Sequence, residues 1–314
     1  MPWTLMFDDG LDGVVVVDPN DPQNLQEAKV EGQRAGDQPY RLELVGGHLI
    51  VGWEEIYAVE VDSADSLLLA DSTIYVPAAE PDRVWMIDYS GGAIGSGTLT
   101  AWQVSVLGEE ITPHFEVDLD ADPVIGVPRG LALYSDSGIQ VWDAVDDVVL
   151  GSMGSGPGVI SDSTFQHGGA LAWCEVSCEQ IHVTGVPDMT DVPIDHPDEG
   201  VRFISGAARF SGDGRYLAAP AESGDLVVFD RESGVSSVVF DLPSENPTSV
   251  NWSESGHELF AVTPLQSSGL TRITHHLLGT DGFGTVDVSL ARSVDFVVVP
   301  EGAATSFLAV SETS

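Results

Sequence analysis

The chain has 314 residues, 43% of them hydrophobic, which excludes wholesale disorder and leaves room for two average domains or one large all-β domain. Fifty acidic residues stand against 11 basic ones, a formal net charge of −39, so nucleic-acid phosphates and anionic lipid headgroups are disfavoured as partners and a soluble monomer is favoured. No apolar run approaches the roughly 18–20 residues of a membrane helix, and the opening MPWTLMFDDG lacks the basic start of a secretory signal. The acids are spread along the chain rather than gathered in a tail. That spread fits a hydrated surface in salty or extracytoplasmic surroundings better than a dedicated cation-binding face.

In chain order, TLMFDDGLDGVVVVD gives two apolar strands around an Asp/Gly turn. Asn24–Ala35 is the only stretch with helical composition. GHLIVGWE then precedes IYAVEVD62, and STIYVPAAEPD precedes RVWMID88, each a β-rich run before a Gly, Pro or acidic turn. The glycine-rich Ser90–Thr98 (SGGAIGSGT) has no lysine before its threonine and no G-x-G-x-x-G, so it is expected as a loop between sheets rather than a phosphate cradle. In DLDADP, Asp118, Asp120 and Asp122 alternate as in an EF-hand, but Pro123 and Arg129 fill the glycine and glutamate positions. Solvated acidic turns are preferred there, with weak calcium binding left open.

GLALYSDS leads into GIQVWD143, and ALAWCEVSCEQIHVT carries the two cysteines, Cys174 and Cys178. Three intervening residues suit a hairpin turn with a disulfide across it; two buried thiols and redox chemistry are the alternatives. C-x₃-C without a second pair is no zinc framework. A disulfide implies an oxidising compartment. DVPIDHPDEG reads as a proline-rich loop in which Asp195, His196, Asp198 and Glu199 form the most metal-like cluster, although a solvated loop is preferred. ARFSGDGRYLAAP then leads to GDLVVFD230, and VNWSESGHELFAV to GLTRITHHLLGTDG, with the SGDG and SESG turns in matching places. Val294–Val299 and Ser306–Val310 supply two last strands.

One element recurs through this series. Strands end at Asp18, Asp62, Asp88, Asp143, Thr184 or Gly185, Asp230, and His275 or His276, at a mean step of about 43 residues. FSGDGRYLAAPAESGDLVVFDRESG resembles a blade of the WD40/YVTN/TolB-like β-propeller superfamily, in which a strand–turn–strand pair is followed by a strand ending in WD or a variant. The resemblance is specific in Gly130–Val149, Gly206–Leu242 and Ser249–Val262. It departs from a strict WD40 pattern because the GH dipeptide and its buried His–Asp network do not recur regularly, which places the chain nearer the divergent bacterial propellers. The resemblance implies an all-β fold, a single β-propeller over residues 1–314 built of four-stranded antiparallel blades. Seven blades fit the length, with six or eight as alternatives, and N- and C-terminal strands share the closing blade.

Catalytic signatures are missing. No serine lies in G-x-S-x-G, and HELFA places Ala261 where H-E-x-x-H needs its second histidine. YSDSGIQVW and FSGDGRYL each miss an Asp-box by one position, and no acid–base pair stands out among the carboxylates. His275 and His276, adjacent in a strand, face opposite sides and do not chelate together. Trp85, Trp142, Trp173 and Trp252 are expected in the packing between blades. No catalytic residue, cofactor or metal is assigned.

If the inner strand at Ala207–Phe210 runs down from the top face, that face holds Pro77–Asp82, Gly156–Gly169, Cys174–Cys178, Asp188–Gly200, Ala221–Asp225 and Ser244–Pro247. The candidate interaction residues there are Phe165, His167, Asp195, His196 and Asp198. The expected function is a non-enzymatic binding module, an extracytoplasmic ectodomain or scaffold that docks a protein, peptide or glycan. The alternatives are a hydrolase or lyase with a metal or carboxylate site at the channel mouth, and a cytosolic location.

Overall fold

Runs such as Gly13–Val17 (GVVVV) and Phe296–Pro300 (FVVVP) are apolar at successive positions, so both faces of their sheet must be covered. The computed structural model describes residues 3–300 apart from 9–12, 19, 22, 30–41, 64, 73, 91–97, 118–121, 136–137, 155–159, 164–168, 176, 242–248, 266–267, 281 and 291–295. These residues form seven antiparallel sheets, six with four strands and one with three, arranged as the blades of a β-propeller. No helix occurs among the described residues.

From inner to outer strand, blade 1 comprises Phe296–Pro300, Trp3–Asp8, Gly13–Val17 and Gln26–Lys29. Blade 2 comprises Glu43–Val45, His48–Glu60 and Ser66–Ser72. Blade 3 comprises Ile74–Pro77, Arg83–Tyr89, Leu99–Ser105 and Phe115–Val117, and blade 4 Asp122–Val127, Gly130–Ser135, Gly138–Asp143 and Val148–Met153. Blade 5 comprises Ile160–Ser163, Ala170–Cys174, Gln180–Gly185 and Asp191–Asp195, and blade 6 Arg209–Phe210, Tyr216–Pro220, Asp225–Asp230 and Val235–Asp241. Blade 7 comprises Ser249–Trp252, Glu258–Leu265, Leu270–Leu277 and Gly284–Val288. First strands approach one another around the axis, as Arg209–Phe210, Ser249–Trp252, Phe296–Pro300 and Glu43–Val45 do in turn.

The core is divided into seven apolar clusters, one at each junction between neighbouring blades. Alternation along a strand sends successive side chains to different junctions. Leu5 and Phe7 enter the cluster between blades 7 and 1, while Met6 enters the one between blades 1 and 2. Each such side chain, fully buried, contributes about 1.5–3 kcal/mol. The four expected tryptophans are all buried at these junctions: Trp85 and Trp142 between blades 3 and 4, Trp173 between 4 and 5, and Trp252 between 6 and 7. The ring closes in blade 1, where Phe296–Pro300 pairs with Trp3–Phe7 and the Phe7 and Phe296 rings stack at 5.4 Å. Closure through a shared sheet removes two exposed edges.

The recurring aspartates have a local cause. Asp143 Oδ1 accepts from the Val145 and Asp146 amides at 2.9 and 3.1 Å, Asp230 Oδ1 from Glu232 at 2.9 Å, and Asp18 Oδ1 from Asn20 at 2.7 Å. Each carboxylate fastens the turn that its strand enters. The SGDG and SESG turns are built alike and lie side by side. Gly214 and Gly256 take φ of +68° and +70°, where an L side chain is strained.

Several sequence expectations change. Asp62 and Asp88 do not end third strands: Asp62 follows the second strand of blade 2, and Asp88 lies in the second strand of blade 3. Second and third strands are equally apolar because both are covered on both faces, so hydropathy does not separate them. GHLIVGWE and IYAVEVD form one continuous strand rather than two. Ser90–Thr98 therefore connects the second and third strands of one blade, not two blades, and Pro77–Asp82 joins first to second strand, on the face opposite to the one expected. Within Asn24–Ala35, Gln26–Lys29 is a strand, because pairing with Gly13–Val16 outweighs helical propensity. Blade 1 takes one strand from the C-terminal side and three from the N-terminal side; Ser306–Val310 lies outside the described residues.

Candidate functional site

Two places gather polar side chains on this scaffold, one on each face. On the top face are the turns between second and third strands and the loops that enter the next blade. The junction of blades 5 and 6 is capped there by residues 196–208, the loop leaving Asp191–Asp195 for Arg209–Phe210. Both flanking turns hold it. The Phe203 amide donates to Cys178 O at 2.9 Å, the Ile204 amide to Pro220 O at 2.8 Å, and the Glu222 amide to Arg202 O at 2.8 Å. Cys174 and Cys178 are joined as a disulfide with Cα atoms 5.1 Å apart, and both sit in the apolar cluster of this junction with Phe203.

Under that loop, His196 is buried, its side chain 1% exposed. Its Nδ1 accepts the Asp198 amide hydrogen at 3.0 Å, and its Nε2 faces Asp225 Oδ2 at 3.5 Å. The Phe203 ring flanks the imidazole at 5.7 Å, and Ser223 Oγ donates to Asp225 Oδ2 at 2.6 Å. His196, Asp198 and Asp225 each bring one ligand atom to within 4.8 Å of the others.

Of the five candidate residues from sequence, His196 and Asp198 come together here. Asp195 is the exposed last residue of its strand and accepts from Gln180 Nε2 at 2.7 Å. The stretch read as a proline-rich loop is strand through Asp195, because Gln180–Thr184 pairs with Asp191–Asp195. Phe165 and His167 lie outside the described residues. Sequence reasoning missed Asp225 as a partner of His196. The available signal was topological: the turn between second and third strands lies beside the loop entering the same blade, so an acid ending one and a histidine in the other are neighbours.

The second place is the opposite mouth of the channel. A cavity of about 480 Å³ is lined from five blades, including Glu43, Asp62, Arg209, Asn251, Trp252 and Glu254. Its polar groups are held on backbone carbonyls, within one blade for Arg209 and between neighbouring blades for Trp252 and Asn251. Arg209 Nη1 donates to Ala208 O at 2.9 Å, Trp252 Nε1 to Arg209 O at 2.9 Å, and Asn251 Nδ2 to Phe296 O at 2.8 Å. No sequence motif marks this cavity, because its lining is divided among five blades.

No family model and no curated protein sequence matches the chain. Solved structures do resemble it. A Lactobacillus plantarum protein aligns at 15% identity and TM-score 0.58, over 95% of this chain and 100% of its own. PpgL, a periplasmic gluconolactonase of Pseudomonas aeruginosa, aligns at 16% and 0.57, over 95% and 99%. Apo AztD from Citrobacter koseri aligns at 12% and 0.53, over 95% and 97%. At these identities the likeness shows the β-propeller fold and nothing finer.

Proposed function

We propose that the chain is a non-enzymatic binding module of the divergent WD40/YVTN/TolB-like kind, working outside the cytoplasm and docking a protein, peptide or glycan on its top face. The observation that carries this reading is the way polar groups are used. At the channel mouth, Arg209, Asn251 and Trp252 donate to backbone carbonyls, those of Ala208, Phe296 and Arg209. Four of the seven described histidines sit against carboxylates or backbone oxygens: His182 on Asp191, His196 facing Asp225, His48 on Gly46 O and His276 on Gly282 O. A seryl hydroxyl activated by an imidazole is not among those pairs. On the top face, by contrast, exposed Arg202 and Glu222 stand on a loop and a turn fixed to each other, with exposed Asp195 at the end of the strand that leads into that loop. The disulfide supports an oxidising compartment, and the periplasmic gluconolactonase neighbour is consistent with it.

Peptide and glycan arrays probed with the disulfide-bonded chain test the reading. Retention is expected to fall tenfold or more in the triple variant Asp195→Ala, Arg202→Ala, Glu222→Ala, and to persist in Glu254→Ala at the channel mouth. Equal retention by both variants would overturn the top-face assignment. A second reading, hydrolysis of a sugar lactone, is favoured by one feature: Glu43, Asp62 and Glu254 gather at a channel mouth in a fold shared with a gluconolactonase. Turnover of glucono-δ-lactone above the spontaneous rate, lost in Asp62→Asn, would establish that reading and displace the first.

A further inference from the structure

Beyond that reading, we propose that His196, Asp198 and Asp225 form a divalent-cation site of the zinc type at the top of the blade 5–6 junction. The cluster alone would not carry this, since the chain is acidic throughout. The buried imidazole does. His196 Nε2 has no hydrogen-bond partner, is shut off from solvent, and points at Asp225 Oδ2. The 3.5 Å between them is long for a hydrogen bond, which settles near 2.9 Å. It matches instead the separation of about 3.3 Å between two ligand atoms that each lie about 2.0–2.1 Å from a tetrahedral zinc ion. Asp198 supplies the third donor within the same 4.8 Å.

The surroundings fit a ligating histidine. Coordination through Nε2 requires the ring proton on Nδ1, so the Asp198 amide contact at 3.0 Å must give way to donation from Nδ1 to Asp198 O, now 3.3 Å away. Ser223 Oγ already orients Asp225 through Oδ2. The flanking turns and the disulfide hold the loop, so little ordering entropy is lost on binding. One imidazole nitrogen with two carboxylates suits zinc and its first-row neighbours. Calcium, which takes six to eight oxygens at about 2.3–2.6 Å, is poorly served. Three protein donors leave the remaining position to water, or to a donor from whatever docks on this face.

Zinc itself is the probe. Competition against a chromophoric chelator, in about 0.3 M salt with excess magnesium to silence diffuse surface binding, should show one equivalent bound. Asp198 is exposed, so Asp198→Asn should weaken zinc roughly tenfold or more while leaving the metal-free melting temperature unchanged. Asp195→Asn should change neither. X-ray absorption of the one-to-one complex should report one nitrogen donor among oxygens. Failure of the native chain to take up zinc would overturn the site. So would uptake by Asp198→Asn and Asp225→Asn equal to that of the native chain, or a purely oxygen shell.

Discussion

Two imidazole–carboxylate pairs in this ring invite comparison, a buried one at the blade 5–6 junction and a half-buried one in blade 7. In blade 7, the strand register places Phe260 opposite His275 and Glu258 two residues along, so the histidine and the acid sit diagonally. His275 Nε2 and Glu258 Oε2 stand 4.0 Å apart, and neither has a hydrogen-bond partner. Burial pushes the Glu258 carboxyl up and the His275 imidazole down, the latter helped by His276 next to it. Both shifts are towards the neutral form, with desolvation the leading cause of each. His196 and Asp225 are likewise an imidazole facing a carboxylate, here an aspartate, but have Asp198 beside them and a backbone carbonyl behind the ring. The third donor turns a buried pair into a cation site. Its absence leaves the pair in blade 7 a cost to stability.

The largest test of this contrast removes the aromatic wall of each pair. Phe203→Ala and Phe260→Ala each empty a fully buried site and should each cost about 3–5 kcal/mol by denaturant titration. Zinc affinity should fall only in Phe203→Ala, whose ring flanks His196, and not in Phe260→Ala, whose ring lies 5.0 Å from His275. A smaller loss, about 2 kcal/mol for so short a closed loop, is expected for Cys174→Ala with Cys178→Ala. The same double variant should loosen the 196–208 loop, seen as faster amide exchange at Phe203, whose partner is Cys178 O.

The pair in blade 7 yields effects of about 1 kcal/mol or less, with opposite pH dependence. Glu258 has a folded pKa above its unfolded one, so its penalty is complete above the raised value and vanishes below the ordinary carboxylate range. Glu258→Gln should therefore raise the melting temperature at neutral pH, and the gain should disappear on acidification. His275 has a folded pKa below its unfolded one, so its penalty appears as the pH falls past the ordinary imidazole range. His275→Asn should help only there. The smallest effect is expected at Asp230, held at about 2 by hydrogen bonds from Arg215 at the surface. Its contribution is present above the ordinary carboxylate range and is lost as the pH falls through about 2. Asp230→Asn should shift thermal stability at neutral pH only slightly.

Blade 6 was readable from sequence because its signals are local: Gly214 in the SGDG turn, the short apolar strands, and Asp230 fastening the next turn. Blades 2 and 3 were misassigned because a strand covered on both faces carries no mark of its place in the sheet, and Arg83–Tyr89 is as apolar as Gly138–Asp143. His196 and Asp198 could be singled out by their residue types. Their partner could not, because Asp225 lies 29 positions from His196 and reads as the opening of a strand. The channel-mouth cavity left no trace for the same reason, its lining being shared among five blades. Local turn chemistry is written in sequence, whereas contacts made by ring closure are written only in the fold.

The most direct test of the contrast between the two pairs follows the histidine ring nitrogens by ¹⁵N NMR while one equivalent of zinc is added. A large shift confined to His196 Nε2, with His275 unmoved, is the predicted result. Movement of His275, or of none of the eight histidines, would contradict it.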